Sequence, residues 1–194
     1  MAAGPSAQGL QSVDWSALPR PVDDGAASHL PGAALPDIAL PATAGPDVSL
    51  ARLTGRTILY AYPMTGKPGV ALPDGWDGIP GARGCTPQAC AFRDHYAELQ
   101  GAGAQHVFGM STQDTAYQLE AAERLHLPFP LLSDAALRLT TALRLPVMVV
   151  DGAMLLKRMA LIIEDGIIAH VFYPVFPPDR NAADVLQWLR ARQA

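Results

Sequence analysis

Cysteine is scarce in this chain, with two in 194 residues. Two thiols cannot build a disulfide framework for a chain this long, and a sequence that is 49% apolar has enough core-forming material without one. No run approaches the roughly 18 consecutive apolar residues of a membrane span. The N-terminus has no basic segment leading into an apolar run, its first cation being Arg20. Positive charge is not in excess either: 14 Lys and Arg against 18 Asp and Glu give a formal net charge of −4. Without a basic field the chain has little to hold a polyphosphate backbone, which argues against nucleic acid as a partner. The five histidines, His29, His95, His106, His126 and His170, are scattered without metal-ligand spacing. There is no internal repeat. The expectation is a soluble, cytosolic chain with no metal, no other cofactor and no membrane association.

Residues 1–30 are rich in Ala, Gly, Ser, Pro and Asp, with Val13, Trp15, Leu18 and Val22 as large apolar anchors. They read as an N-terminal arm, extended or mobile, ahead of one domain over residues 31–194. Within that domain Thr57–Tyr62 is β-branched and aromatic and predicts a buried strand stopped by Pro63. Met64–Gly84 is a long Gly- and Pro-rich loop, and loops of about 20 residues inside a compact domain are usually functional or disordered. Thr86 and Pro87 read as N-cap and first helical position, with Ala89, Phe92, Tyr96 and Leu99 at helical spacing as far as Gly101. His106–Met110 predicts a strand, Asp114–Leu125 a helix, Phe129–Leu132 a short apolar segment and Ala135–Leu145 a second amphipathic helix. Val147–Val150 predicts a short strand. Leu155–Ile163 and Ile167–Tyr173 flank Glu164-Asp165-Gly166, a hairpin signal, and Val185, Trp188 and Leu189 mark a closing helix. Parallel units first and a hairpin last describe an α/β fold with a mixed central sheet flanked by helices.

Cys85 stands between the long loop and a helix start, where unpaired N–H groups and the helix dipole favour an anion. The terminus contributes about 1–2 kcal/mol toward a thiolate, so a cation from elsewhere in the chain has to add more. Cys90 lies five residues on. Five helical residues rise about 7.5 Å and point roughly 140° apart, whereas a disulfide needs Cα atoms within about 7 Å. The pair cannot close while the helix start is intact, and it can once that turn unwinds. The spacing is not Cys-x-x-Cys, which argues against a thiol–disulfide reductase. Two blander readings compete: buried cysteines as small apolar filler, and a zinc site with His95, although five-residue steps do not line one helix face.

The segment Gly84-Cys85-Thr86-Pro87-Gln88-Ala89-Cys90-Ala91-Phe92-Arg93-Asp94 resembles the GCTxxACxFRD motif of peroxiredoxins, nearest the bacterioferritin comigratory protein or PrxQ type. A weaker likeness runs from about Leu35 to Leu189 and takes in Tyr62-Pro63, Leu131-Leu132-Ser133-Asp134 and Arg158. The resemblance implies a thioredoxin-like fold and a thiol-dependent peroxidase acting on hydrogen peroxide and organic hydroperoxides. Cys85 then matches the peroxidatic cysteine, Cys90 the resolving cysteine, and Arg158 the arginine that holds the thiolate and the peroxide. One guanidinium at about 4 Å and an effective dielectric near 20 supplies on the order of 4 kcal/mol before desolvation. Gln88 falls where the family often has a side chain bonded to that arginine. The implied partners are the peroxide and a thioredoxin- or glutaredoxin-like reductant, with the chain a monomer.

The chain departs from the family pattern P-x-x-x-T-x-x-C, because Ala82 stands three residues before Cys85 and Gly78 seven before. Pro63 and Thr65 lie about 20 residues upstream, as though the Gly66–Gly81 loop, with Trp76 in it, were inserted into the motif. Either Thr65 folds back to supply the hydroxyl, or the N–H groups of Gly84 and Cys85 substitute for it, with Pro80 in the place of the shielding proline. The loop is expected to cover the site or to shape access to it. The missing threonine keeps a second function open: a non-enzymatic redox sensor or scaffold on the same fold.

Overall fold

The structure, a computed structural model, describes residues 13–192. Among them are nine strands: β1 Ala39–Leu40, β2 Val48–Ser49, β3 Arg56–Ala61, β4 His106–Ser111, β5 Leu131–Ser133, β6 Val147–Val150, β7 Ala153–Leu156, β8 Met159–Glu164 and β9 Ile167–Phe172. The helices are α1 Cys85–Asp94, α2 Tyr96–Gly101, α3 Thr115–Arg124, α4 Arg138–Leu143 and α5 Asn181–Arg190. A five-stranded sheet runs in the order β5-β4-β3-β8-β9. β3, β4 and β5 are parallel, and β8 and β9 are antiparallel to their neighbours. Parallel neighbours need helical crossovers, which α1 with α2 and then α3 supply.

Two cores form because side chains alternate across each strand. From β3, Ile58 and Tyr60 enter one core and Leu59 and Ala61 the other; from β8, Ala160 and Ile162 oppose Met159, Leu161 and Ile163. The first core is closed by Ala89, Cys90 and Phe92 of α1, Leu99 of α2, and Val185, Leu186 and Leu189 of α5. Tyr60 stacks on Phe92 at 4.4 Å between centroids, tying the central strand to α1. The second core takes Leu139 and Leu143 of α4 together with Ala27, Leu30 and Leu35. Residues 13–30 of the N-terminal arm lie against the domain: Leu30 is wholly buried, and Asp24 accepts hydrogen bonds from Lys157 (2.6 Å) and Tyr173 (2.7 Å).

Three elements differ from the sequence reading, each for a local reason. The helix expected to run on to Gly101 turns at His95, whose ring Nδ1 bonds the Ala91 carbonyl at 2.9 Å. The helix expected from Ala135 starts only at Arg138, because Leu137 adopts φ 55° and the buried Asp134 carboxylate accepts from the Leu139 and Thr140 amides and the Thr140 hydroxyl. The long strand expected over Leu155–Ile163 is split at Lys157 and Arg158 into β7 and β8, so that Arg158 sits on the break. β7 pairs with β6 in a separate hairpin closed by Asp151 (φ 49°) and Gly152 (φ 79°). That Asp-Gly dipeptide carries the same turn signal as Asp165-Gly166 in the β8–β9 hairpin, whose φ values of 48° and 79° are also left-handed.

Leu59 is fully buried in the central strand on the face away from α1. Leu59→Ala is expected to cost about 2–5 kcal/mol, read as a lower denaturant midpoint with an unchanged slope.

Candidate active site

The start of α1 is set by Gly84, the N-cap, at φ 110°, a backbone region that side chains with a Cβ rarely enter. Cys85 is therefore the first helical residue, two steps ahead of the start at Pro87 that a Thr86 cap would give, with Thr86 second and Pro87 third. Gln88 is the first residue whose amide finds a helical partner, the Gly84 carbonyl at 3.0 Å. The amides of Cys85 and Thr86 have none within the helix, and Pro87 has no N–H to leave unpaired. The helix thus presents its positive end beside the thiol. Space reinforces the choice of glycine. A Cβ at position 84 would lie 2.5 Å from Pro178 and 2.9 Å from the Trp15 ring. Trp15 is itself held there by its indole N–H, which donates to Asp179 at 2.7 Å, and by edge contact with Phe176.

Arg158 comes to this terminus from 73 residues away and is 3% exposed. Its Nη2 donates to the Cys85 sulfur at 3.2 Å and has the carbonyls of Gly81 (3.3 Å), Ala82 (3.1 Å) and Arg83 (3.2 Å) within reach. Two hydrogens facing four acceptors are shared, so the nitrogen is held in a cradle rather than by one partner. The loop before Cys85 thus orients the cation with its backbone. Ala82, where the family pattern has threonine, offers its carbonyl to both Arg158 and the Cys85 thiol, the latter at 3.7 Å. The Arg158 Nη1 donates to the buried Gln88 side-chain oxygen, and the Gln88 amide nitrogen donates to Asn181 at 2.9 Å. Asn181, buried at the start of α5, went unnoticed in the sequence; its signal was its place at a helix start.

Cys85 lines a cleft of about 420 Å³ whose far wall is the long loop, through Met64, Gly66, Lys67, Val70, Leu72 and Trp76. The Trp76 end of the loop is packed rather than free: Trp76 and Ala82 are buried in a small core with Val150 and Leu155 of the β6–β7 hairpin. Thr65 is buried, and both its amide (2.9 Å) and its hydroxyl (3.2 Å) donate to the side-chain oxygen of Gln113. Its neighbours Met64 and Gly66 line the cleft while its hydroxyl is engaged with Gln113. Pro80 lines a second cavity of about 100 Å³, together with Gly81, Arg158 and the arm residues Pro21 and Val22. The structure therefore brings Cys85, Arg158, Gln88 and Gly84 together and keeps Thr65 with Gln113.

Cys90 is buried one and a half turns along α1, and both cysteines are free thiols. Burial pushes the Cys90 thiol up, with Arg93 acting weakly the other way. It is held protonated, which makes it a poor nucleophile for as long as the helix encloses it. Among the described residues no group of three or more His, Cys, Asp or Glu is placed to hold a metal ion.

A mixed sheet with α1 entering after a parallel strand, and a buried cation over a cysteine at its start, defines a thioredoxin-like protein with a thiol at the positive end of a helix. Comparisons with known proteins agree. The Redoxin family model matches residues 30–186. Chloroplastic peroxiredoxin Q of Oryza sativa subsp. japonica is 30% identical over 161 residues, covering 82% of this chain and 66% of that protein. Chloroplastic peroxiredoxin Q of Arabidopsis thaliana is 31% identical over 161 residues, covering 82% of this chain and 67% of its own. The crystal structure of peroxidoxin BcpB from Mycobacterium tuberculosis superposes with a TM-score of 0.68 at 27% identity, over 86% of this chain and 100% of that one. The chain belongs to the Redoxin family, as a peroxiredoxin of the Q type. It spans just under two thirds of the length of the rice protein.

Gly84→Ala forces Pro178 or Trp15 to move and strains the backbone at φ 110°. It is expected to lower stability by about 1–3 kcal/mol, read by thermal unfolding, and to slow alkylation of Cys85. The raised Cys90 thiol predicts a pH effect whose sign is definite. Folding holds its proton, so its contribution is complete below the unfolded thiol's pKa of about 8.5 and is lost as pH rises above it. Between pH 8 and 10 the denaturant midpoint of the wild type should fall more steeply than that of Cys90→Ala; parallel curves would remove Cys90 as the cause.

Proposed function

We propose that the protein is a thiol peroxidase that reduces hydrogen peroxide and organic hydroperoxides through Cys85. The observation that carries this is the Arg158 guanidinium 3.2 Å from the Cys85 sulfur at the positive end of α1. Both features stabilise negative charge on the sulfur, and the thiolate is the nucleophile. A sulfur lone pair attacks one peroxide oxygen, the O–O bond breaks, and its electron pair leaves with the other oxygen, which takes a proton to become water or alcohol. Cys85 is left as a sulfenic acid. The Cys90 sulfur then displaces the hydroxyl, forming the disulfide and releasing water.

That second step requires α1 to open. Five residues of helix separate the two Cα atoms by a rise of about 7.5 Å, beyond the roughly 7 Å a disulfide spans. Opening also takes Cys90 out of the buried setting that holds it protonated. One conformational change therefore brings the second sulfur within range and makes it reactive. A thioredoxin- or glutaredoxin-like dithiol restores both thiols by exchange. Because both sulfurs belong to one helix, the cycle needs no second copy of the chain, and we assign it to a monomer in the cytosol, where thiol reductants are maintained.

Stopped-flow consumption of hydrogen peroxide by the reduced protein tests the reading. Wild type is expected to react orders of magnitude faster than free cysteine, Cys85→Ser not at all, and Cys90→Ser for a single turnover. A wild-type rate no better than free cysteine with both hydrogen peroxide and an organic hydroperoxide would overturn the enzyme in favour of a redox sensor.

A further inference from the structure

The Arg158 guanidinium can only donate hydrogen bonds, and that fact propagates through two amides. Gln88 is wholly buried in α1 and meets Arg158 Nη1 with its side chain. An amide presents oxygen on one branch and NH2 on the other, so Gln88 helps Arg158 only when its oxygen faces the guanidinium. The reverse orientation sets donors against donors. In the productive orientation the Gln88 NH2 points away from Arg158, buried, and needs an acceptor. The Asn181 Oδ1, at 2.9 Å and across 93 residues of sequence, is that acceptor. Asn181 is 1% exposed and opens α5, a helix that packs on α1 through Val185, Leu186 and Leu189.

We propose that Asn181 is a positioning residue for the peroxidatic thiol: it fixes which way the Gln88 amide faces and thereby holds Arg158 against Cys85. Asn181 touches neither sulfur nor substrate and acts only through Gln88. Arg158 donates on both sides, through Nη2 to the Cys85 sulfur and through Nη1 to the Gln88 oxygen, and the Gln88 nitrogen donates onward to the Asn181 oxygen. Each bond polarises the next, so the far acceptor contributes to the orientation of the near donor. Among the described residues the Gln88 amide nitrogen donates to Asn181. Unwinding α1 carries Gln88 away from both Arg158 and Asn181, so the same relay is broken when the disulfide forms.

The inference rests on Cys85 as the reacting thiol, and the test separates the two. Iodoacetamide alkylation of Cys85 at pH 7 is followed by mass spectrometry in four proteins, each also carrying Cys90→Ala: the parent, Asn181→Ala, Gln88→Glu, and the two combined. Asn181→Ala is expected to slow alkylation about fivefold, the scale of one neutral hydrogen bond. Glutamate has two oxygens and no wrong orientation, so in the Gln88→Glu background Asn181→Ala should change the rate less than twofold. Equal losses in both backgrounds would overturn the proposal by showing that Asn181 acts through the packing of α5, and no loss in either would show that it does not act. A parent rate no faster than free cysteine would refute the reactive thiol instead. Should Asn181→Ala fail to fold, solvent exchange of the Gln88 side-chain NH2, followed by NMR in the wild type, decides. Exchange at least tenfold slower than that of an exposed glutamine is expected, and exchange as fast as an exposed glutamine's overturns the proposal.

Discussion

A single buried cation, Arg158, is the constraint on which the site depends. A guanidinium taken out of water costs several kcal/mol unless its hydrogens are matched, and here Nη1 and Nη2 are matched by three consecutive carbonyls, Gln88 and the Cys85 sulfur, while the buried Nε has no partner. The surroundings of Arg158 follow from this need. The chain breaks between β7 and β8 at its position, the long loop turns its carbonyls inward at Gly81, Ala82 and Arg83, and α1 directs Gln88 at it. The loop that interrupts the family motif is thereby part of the cation's setting as well as the wall of the cleft.

The second constraint is geometric and opposes the first. The contacts that gather Arg158, Cys85 and Gln88 need α1 formed from its first residue, while a Cys85–Cys90 disulfide would need the same turn undone. Packing encloses α1 from several sides. Pro178 and Trp15 close on Gly84 from outside, Tyr60 stacks on Phe92 from inside, and α5 covers the flank. Trp15 belongs to the N-terminal arm, which also reaches Lys157 and Tyr173 through Asp24. Lys157 neighbours Arg158, and its hydrogen bond, with that from Tyr173, holds the Asp24 carboxyl well below the usual carboxylate range. The arm is attached both at the first turn of α1 and beside the cation.

Much of this was legible in the amino-acid order because its causes are local. β-Branched and aromatic residues marked Thr57–Tyr62 as a buried strand, the Asp-Gly pair at 165–166 set the last hairpin, and the Gly-Cys-Thr-Pro run located a helix start beside a thiol. The five-residue spacing of Cys85 and Cys90 determined that their disulfide and the intact helix exclude each other. Errors fell where a side chain competes with the backbone for a hydrogen bond or the backbone turns left-handed: His95 dividing α1 from α2, Asp134 with Leu137 delaying α4, and Gly84 moving the cap two residues ahead of Thr86.

Tertiary structure decided the rest, since each remaining decision joins residues far apart in the chain. Sequence order offers no register between positions 88 and 181, so the Gln88–Asn181 bond exists only because α5 packs on α1. Thr65, adjacent to the cleft in the chain, is drawn to Gln113 at the end of β4, where its amide and hydroxyl share one acceptor. Pro80 faces a different cavity from the one Cys85 lines. The sequence by itself determined which thiol stands at a helix start and why a Cys85–Cys90 disulfide would require that helix to open. Only the fold decided what holds the cation beside that thiol, because a hydrogen-bond network is a property of distances, and distances between remote residues are set by packing.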